Sequence, residues 1–196
     1  MSVRGMLTVS ISAALLCASA SHALSQVTSK GAAKPAPAKP EVAAAGGADP
    51  ALIGQYGTWG AYMATPNGKK VCFALAKPTS SKTNPPNRPR DPAYAFISTR
   101  PSEKVVNEVS IMIGYVLKPG SESTIEVGGA AYAMYTQGDG LWIKNAAEEE
   151  RMVEAMRKAA DVTVKGVSAK GTETIDVFSL KGLSQALDRV AQDCRR

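Results

Sequence analysis

Along residues 107–118, NEVSIMIGYVLK, apolar side chains fall on every second position: Val109, Ile111, Ile113, Tyr115 and Leu117. Successive residues of a strand point to opposite faces, so this alternation predicts a half-buried strand. YGTWGAYMA (56–64) and KKVCFALAK (69–77) predict the first two strands, joined by a turn at TPNGK. AYAFISTR (93–100) predicts another, ended by Pro101. STIEV and AYAMYTQ flank a Gly-Gly pair, a hairpin signal, and LWIK follows a second glycine-rich turn, GDG. DVTVKGVSA, the turn Lys170-Gly171 and TETIDVFS predict a last hairpin. Between the second and third of these strands, residues 78–92 carry five prolines. Proline cannot donate to a strand ladder, so this stretch is read as a long surface loop and not a strand.

The period changes at Asn145. In NAAEEERMVEAMRKAA (145–160), Asn145 is placed to cap a helix and Glu148 follows at capping-box spacing. Three glutamates lie in the first turns and Arg157 and Lys158 in the last, which suits the helix dipole. Met152, Val153, Met156 and Ala160 form the expected inward stripe. A second helix is read in SLKGLSQALDRVAQDC (179–194), with Ser179 as N-cap. Its stripe is Leu183, Leu187, Val190 and Cys194, spaced as one helical face. Strands interrupted by one helix and closed by a second, C-terminal one predict a β-rich α+β fold with a mostly antiparallel, sandwich- or barrel-like sheet.

Residues 1–23 have the three-part pattern of a secretory signal peptide: Arg4, then 15 uncharged residues, then Ser21 and Ala23 around a cleavage point. The run is shorter than the roughly 20 residues a spanning helix needs. A lipoprotein reading would lipidate Cys17, but Leu16 stands where that processing wants a small residue. Residues 24–51, rich in Ala, Pro, Gly and Lys without an aromatic, are expected to be a disordered arm, because such a composition buries too little apolar surface to offset its ordering entropy. One globular domain is expected over 52–196, long enough for a single core. Cleavage would leave Cys72 and Cys194. In an oxidising compartment an even pair reads as a disulfide. The alternative is two buried free thiols.

Charge adds little. The formal net charge is +6, a mild excess that suits weak attraction to anionic surfaces without identifying one. No basic stretch interleaved with aromatics points to nucleic acid.

The residues missing from the chain narrow its chemistry further. The single histidine, His22, belongs to the expected leader, so histidine-based triads and His-ligated zinc are excluded from the mature chain. There is no Cys-x-x-Cys, no Walker-type loop and no dinucleotide fingerprint, and no catalytic, cofactor or metal residues are assigned. Paired-carboxylate hydrolysis needs two facing acids, and Asp91, Glu103, Glu108, Asp139 and Asp176 are available. The proline-rich stretch, with Lys77, Lys82, Arg88 and Arg90, is the one cationic contact loop the sequence suggests, set against its reading as a plain solvated loop.

RDPAYAFISTRPSEKVVNEVSIMIGY, LWIKNAAEEERMVEAMRKAADVTVKGVSAKGT and DVFSLKGLSQALDRVAQDC, in that order, resemble the invasion-associated locus B family of alphaproteobacterial envelope proteins. The resemblance covers nearly all of residues 55–194. It implies an exported, β-rich protein without assigned enzymatic activity, in a family named for host-cell invasion, and its pattern matches Cys72 and Cys194. Many members carry a further cysteine shortly after the tryptophan matched by Trp59; this chain has none there. The function expected is that of a non-enzymatic envelope protein in the periplasm or at the cell surface, engaged in host association or envelope integrity. The alternatives are a glycan-acting hydrolase using an Asp/Glu pair, or a binder of anionic lipid or polysaccharide.

Overall fold

The computed structural model describes residues 49–195. The expected leader with Cys17, and all but the last residues of the expected arm, lie outside the described residues. Eleven strands form one antiparallel sheet: β1 Ala51–Tyr56, β2 Trp59–Ala64, β3 Val71–Ala76, β4 Ser80–Asn84, β5 Tyr94–Arg100, β6 Val105–Met112, β7 Ser123–Val127, β8 Ala130–Gln137, β9 Gly140–Trp142, β10 Asp161–Val167 and β11 Glu173–Ser179. Helix α1 spans Ala146–Met156 and α2 spans Leu183–Cys194. The spatial order is β1-β2-β3-β5-β6-β9-β8-β7-β10-β11-β4. Among the described residues no helix is long and apolar enough to cross a membrane.

That order forces curvature. β3 is third from one edge and β4 is the other edge, yet only residues 77–79 join them. Four Cα steps reach at most about 14 Å, so the sheet curls back on itself. The closure is hydrogen-bonded as well: Trp59 Nε1–H donates to the Ser179 carbonyl at 2.9 Å, and Thr58 N–H to the Lys181 carbonyl at 3.2 Å. Trp59, Ala61, Cys72, Ala74, Ile97, Val109, Ile111, Ile125, Val164 and Phe178 line the inside, buried in one core. Helix α2 packs on β1, β2, β3 and β5. The alanines of these strands, Ala61, Ala74, Ala76 and Ala95, share the face of Cys72 and leave room for it.

The Cys72–Cys194 disulfide is formed, with the two Cα atoms 5.9 Å apart. The stripe Leu183, Leu187, Val190 and Cys194 is buried as the spacing predicts. Asn145 caps α1, its side chain accepting from the Ala147 and Glu148 N–H groups, and Met152, Val153 and Met156 face inward.

Five readings are corrected. The strand read across 107–118 ends at Met112, Gly114 follows at φ +80, and Leu117 rejoins only through an isolated bridge to Ser168. The proline-rich stretch is not all loop: Ser80–Asn84 is edge strand β4, paired with β11 from Ser80↔Val177 to Asn84↔Glu173. Its pairing is through the backbone, and its side chains carry no apolar alternation that a pattern could reveal. A first strand, β1, precedes the two expected ones, and Gly57 and Thr58 turn it into β2. Ser179 ends β11 and does not cap α2; Gly182 does, at φ +94. The stripe of α1 stops at Met156, because the helix ends there and Ala160 is exposed just before β10.

Candidate functional site

The cationic residues picked from the proline-rich stretch separate. Lys82 sits exposed on β4, opposite Ile175. Arg88 is exposed, and its backbone N–H donates to Thr83 Oγ1 at 3.1 Å. Arg90 turns inward: Nη1 donates to Asp176 Oδ2 at 2.7 Å and to the Ile113 carbonyl at 3.0 Å, and Nη2 donates to Ser81 Oγ at 3.0 Å and to Asp176 Oδ1. Ser81 Oγ–H donates to Asp176 at 2.6 Å. Asp176 is fully buried, so this network anchors the proline-rich segment to β11. Nearby, the Tyr115 hydroxyl lies 2.6 Å from Thr174 Oγ1, and burial pushes its pKa up. Arg90 therefore serves the fold, while Lys82 and Arg88 remain outside.

Of the five acids considered for a catalytic pair, Asp91 and Asp139 lie exposed in connections and Asp176 is held by Arg90. Glu103 and Glu108 do meet, on Arg100: Nε to Glu103 Oε2 is 2.7 Å and Nη1 to Glu108 Oε2 is 2.8 Å. The hydrogen bonds that Arg100 donates to Glu108, and then to Glu103, hold its guanidinium above its usual range, against an opposing effect of burial. Glu108 also borders a groove of about 530 Å³ between residues 104–108 and α1, shared with Glu149, Glu150 and Glu154. Glu149 has a structural task there. β9 pairs with β6 only at Ser110–Met112, and the next free N–H of β6, on Val109, donates to Glu149 Oε1 at 2.7 Å. The carboxylate thus ends the ladder where the neighbouring strand stops. Burial is the main cause pushing the Glu149 pKa up. Among the described residues, no group of three or more His, Cys, Asp or Glu side chains is arranged to hold a metal ion.

The feature the sequence reading missed lies on the outside of the sheet. Because α2 occupies the Cys72 face, side chains of opposite parity on β2, β3 and β5 point outward. Register then aligns them: Tyr135 (β8), Trp142 (β9), Ser110 (β6), Phe96 (β5) and Leu75 (β3) are directly opposite in turn, and Leu52 (β1), Tyr62 (β2) and Phe73 (β3) form the adjacent row. Tyr94 stands two residues before Phe96. Six of the chain's eleven aromatic residues (Trp 2, Tyr 6, Phe 3) share this face, whereas a solvated face would normally be polar. The rings support one another: Tyr62–Phe73 centroids are 5.4 Å apart, Phe73–Phe96 5.7 Å, Tyr94–Phe96 6.2 Å and Tyr135–Trp142 5.8 Å. Two rings also lie back along their strands over glycines. A Cβ on Gly140 would sit 2.1–3.0 Å from three atoms of the Trp142 ring, and one on Gly60 would sit 2.7 Å from Tyr62. Lys77 Nζ stands 5.5 Å from the Tyr94 ring centre, and Lys144 Nζ 6.0 Å from that of Tyr135. A signal existed in VCFALA and AYAFIS, where small or aliphatic residues alternate with aromatics. Both sets are apolar, so periodicity alone could not say which faced out.

Fold and surface together define a disulfide-stapled, antiparallel α+β domain with a solvent-facing aromatic sheet. The chain belongs to the invasion associated locus B family: the family model described as Invasion associated locus B (IalB) protein matches residues 59–191, about two thirds of the chain. The match begins at Trp59 on β2 and ends within α2, so it spans Cys72 and all six aromatic residues of the outer face. No curated protein and no solved structure significantly matches the chain.

Proposed function

We propose that this protein is an exported, non-enzymatic envelope protein that works by binding, in the periplasm or at the cell surface, in support of host association or envelope integrity. The observation that carries this reading is the outer sheet face, where Tyr62, Tyr94, Phe96, Tyr135 and Trp142 reach the surface around a buried Phe73 and, among the described residues, neither helix packs across them. Contiguous apolar surface of this kind is a hallmark of contact sites. The leader-like residues 1–23 and the family support export. The test is retention of purified residues 24–196 on envelope or host-membrane material under mild crosslinking. Retention that falls when Phe96 and Tyr135 are replaced by serine supports the proposal; no retained partner of any kind overturns it.

A second reading, a glycan-acting hydrolase, is favoured only by the raised pKa of Glu149 beside Glu108 in the groove. Against it, Glu149 is committed to the Val109 N–H and Glu108 to Arg100. Turnover of a polysaccharide abolished by Glu149→Gln, with the fold intact, would establish it.

A further inference from the structure

We infer that the outer aromatic face binds an anionic glycan, a chain of pyranose rings bearing carboxylate or phosphate groups. The inference rests on the binding reading above and names the ligand class.

Three observations carry it. The first is shape. Trp142 and Tyr62 lie back over Gly140 and Gly60 instead of projecting, so the surface is a low platform of rings. Sugar rings present flat C–H faces that stack on such a platform. A membrane would call for apolar side chains that protrude, and an amphipathic helix for a groove. The second is spacing. Trp142 and Phe96 are separated by one strand, β6, whose buried Ser110 stands between them. At about 4.8 Å per strand they are about 10 Å apart, a span that two linked pyranose rings cover. The row Tyr135–Trp142–Ser110–Phe96–Leu75 runs across the strands as an extended track. The third is charge. Lys144 and Lys77, both exposed, flank the track beside Tyr135 and Tyr94, while Arg100 is shared by Glu103 and Glu108, which lie away from these two lysines in the chain. Positive charge therefore stands at the rim beside Tyr135 and Tyr94, complementary to acidic sugars. Two separated lysines do not make the continuous cationic groove that single-stranded nucleic acid follows.

The test uses the intact disulfide-bonded chain and oligogalacturonate as probe, followed by tryptophan fluorescence. Trp59 is fully buried with its N–H bound, so a ligand-dependent change reports Trp142, the chain's other tryptophan. The expected result is saturable binding that perturbs fluorescence, at least about tenfold weaker for the carboxyl-reduced, neutral oligosaccharide. Tyr135→Ser and Phe96→Ser each weaken binding about tenfold, in keeping with one lost stacking contact. Lys77→Gln with Lys144→Gln, both at exposed positions that leave the core untouched, weakens it several-fold and flattens its salt dependence. Trp142→Phe removes the signal but keeps most of the affinity.

Binding unaffected by these substitutions overturns the inference. So does tighter binding of an oligothymidylate or of phosphatidylglycerol vesicles than of the sugar. A photocrosslinker at position 135 separates the two claims. Adducts with envelope protein alone overturn the glycan assignment and leave the binding function standing. No adduct and no retention on envelope material overturn both.

Discussion

Asp176 is fully buried, and its charge is met by Arg90, Ser81 and nothing from solvent. Removing one partner of such a pair leaves the other desolvated and uncompensated. Arg90→Ala or Asp176→Asn should therefore cost about 3–5 kcal/mol, read as a lower urea midpoint, whereas the double change to Met and Leu should cost much less. Equal losses from the single and double variants would show that the pair is not the source. Glu149 makes a prediction in pH. Burial raises its carboxyl above the ordinary value near 4.5, so the folded state holds this proton to higher pH than the unfolded chain. Its contribution to stability is complete below the unfolded pKa and is lost as pH rises through the folded one. Glu149→Gln removes that dependence, so its stability relative to the native protein should be higher at pH 7 than at pH 3.5. A relative stability that is flat or falls between those two values would contradict the assignment. Both partnerships join residues far apart in sequence, Arg90 with Asp176 and Val109 with Glu149. The residue types were visible in the chain; which charges meet was not.

At the scale of elements, the helix stripes were legible because spacing alone sets them, and Cys194 was correctly read as the last buried residue of α2. The start of α2 was not legible. Ser179 looks like a cap in sequence, but β11 continues through it, and the helix begins at Gly182, where the chain passes under the β1–β2 turn. There φ is +94, and a Cβ would lie 2.0 Å from the Tyr56 carbonyl oxygen. Gly182→Ala should therefore destabilise by about 2–4 kcal/mol, from backbone strain and overpacking together. Gly171→Ala, in the open β10–β11 turn at φ +80 with no atom within 4 Å of its Cβ, should cost only the strain, about 1 kcal/mol. Thermal unfolding of the two variants decides this, and equal shifts would refute the role given to the Tyr56 contact. Strand β4 was hidden for a different reason. An edge strand of Ser, Lys, Thr and Asn is held by its backbone to β11, and no side-chain period betrays that.

Over the whole molecule, one long-range covalent link complements the curled sheet. The disulfide joins positions 122 residues apart and fixes α2 to β3. In the chain-entropy account, closing a loop of that size restricts the unfolded chain by about 4–5 kcal/mol. The Cys72→Ser, Cys194→Ser double variant should lose stability on that order and leave the aromatic face, on the opposite side of β3, able to bind its ligand if the domain still folds. Measuring denaturant midpoints with and without reductant checks the first part. A loss under about 1 kcal/mol would show that packing alone holds the helix.

The sequence by itself determined the alternation of most strands, the buried stripe of α2 with Cys194 as its last member, the capping of α1 by Asn145 and the family. Each of these depends on local spacing, residue type or a contiguous motif. Only the tertiary structure decided the order of the strands, the curl that brings β4 back toward β3, the burial of Arg90 and the face on which Tyr62, Phe73, Tyr94, Phe96, Tyr135 and Trp142 meet. Those residues span 81 positions of chain, and β2 and β3 among their strands are apolar on both sides. On β2, β3 and β5 the side that meets water is fixed by where α2 docks, and that is a property of the assembled core and of no single segment.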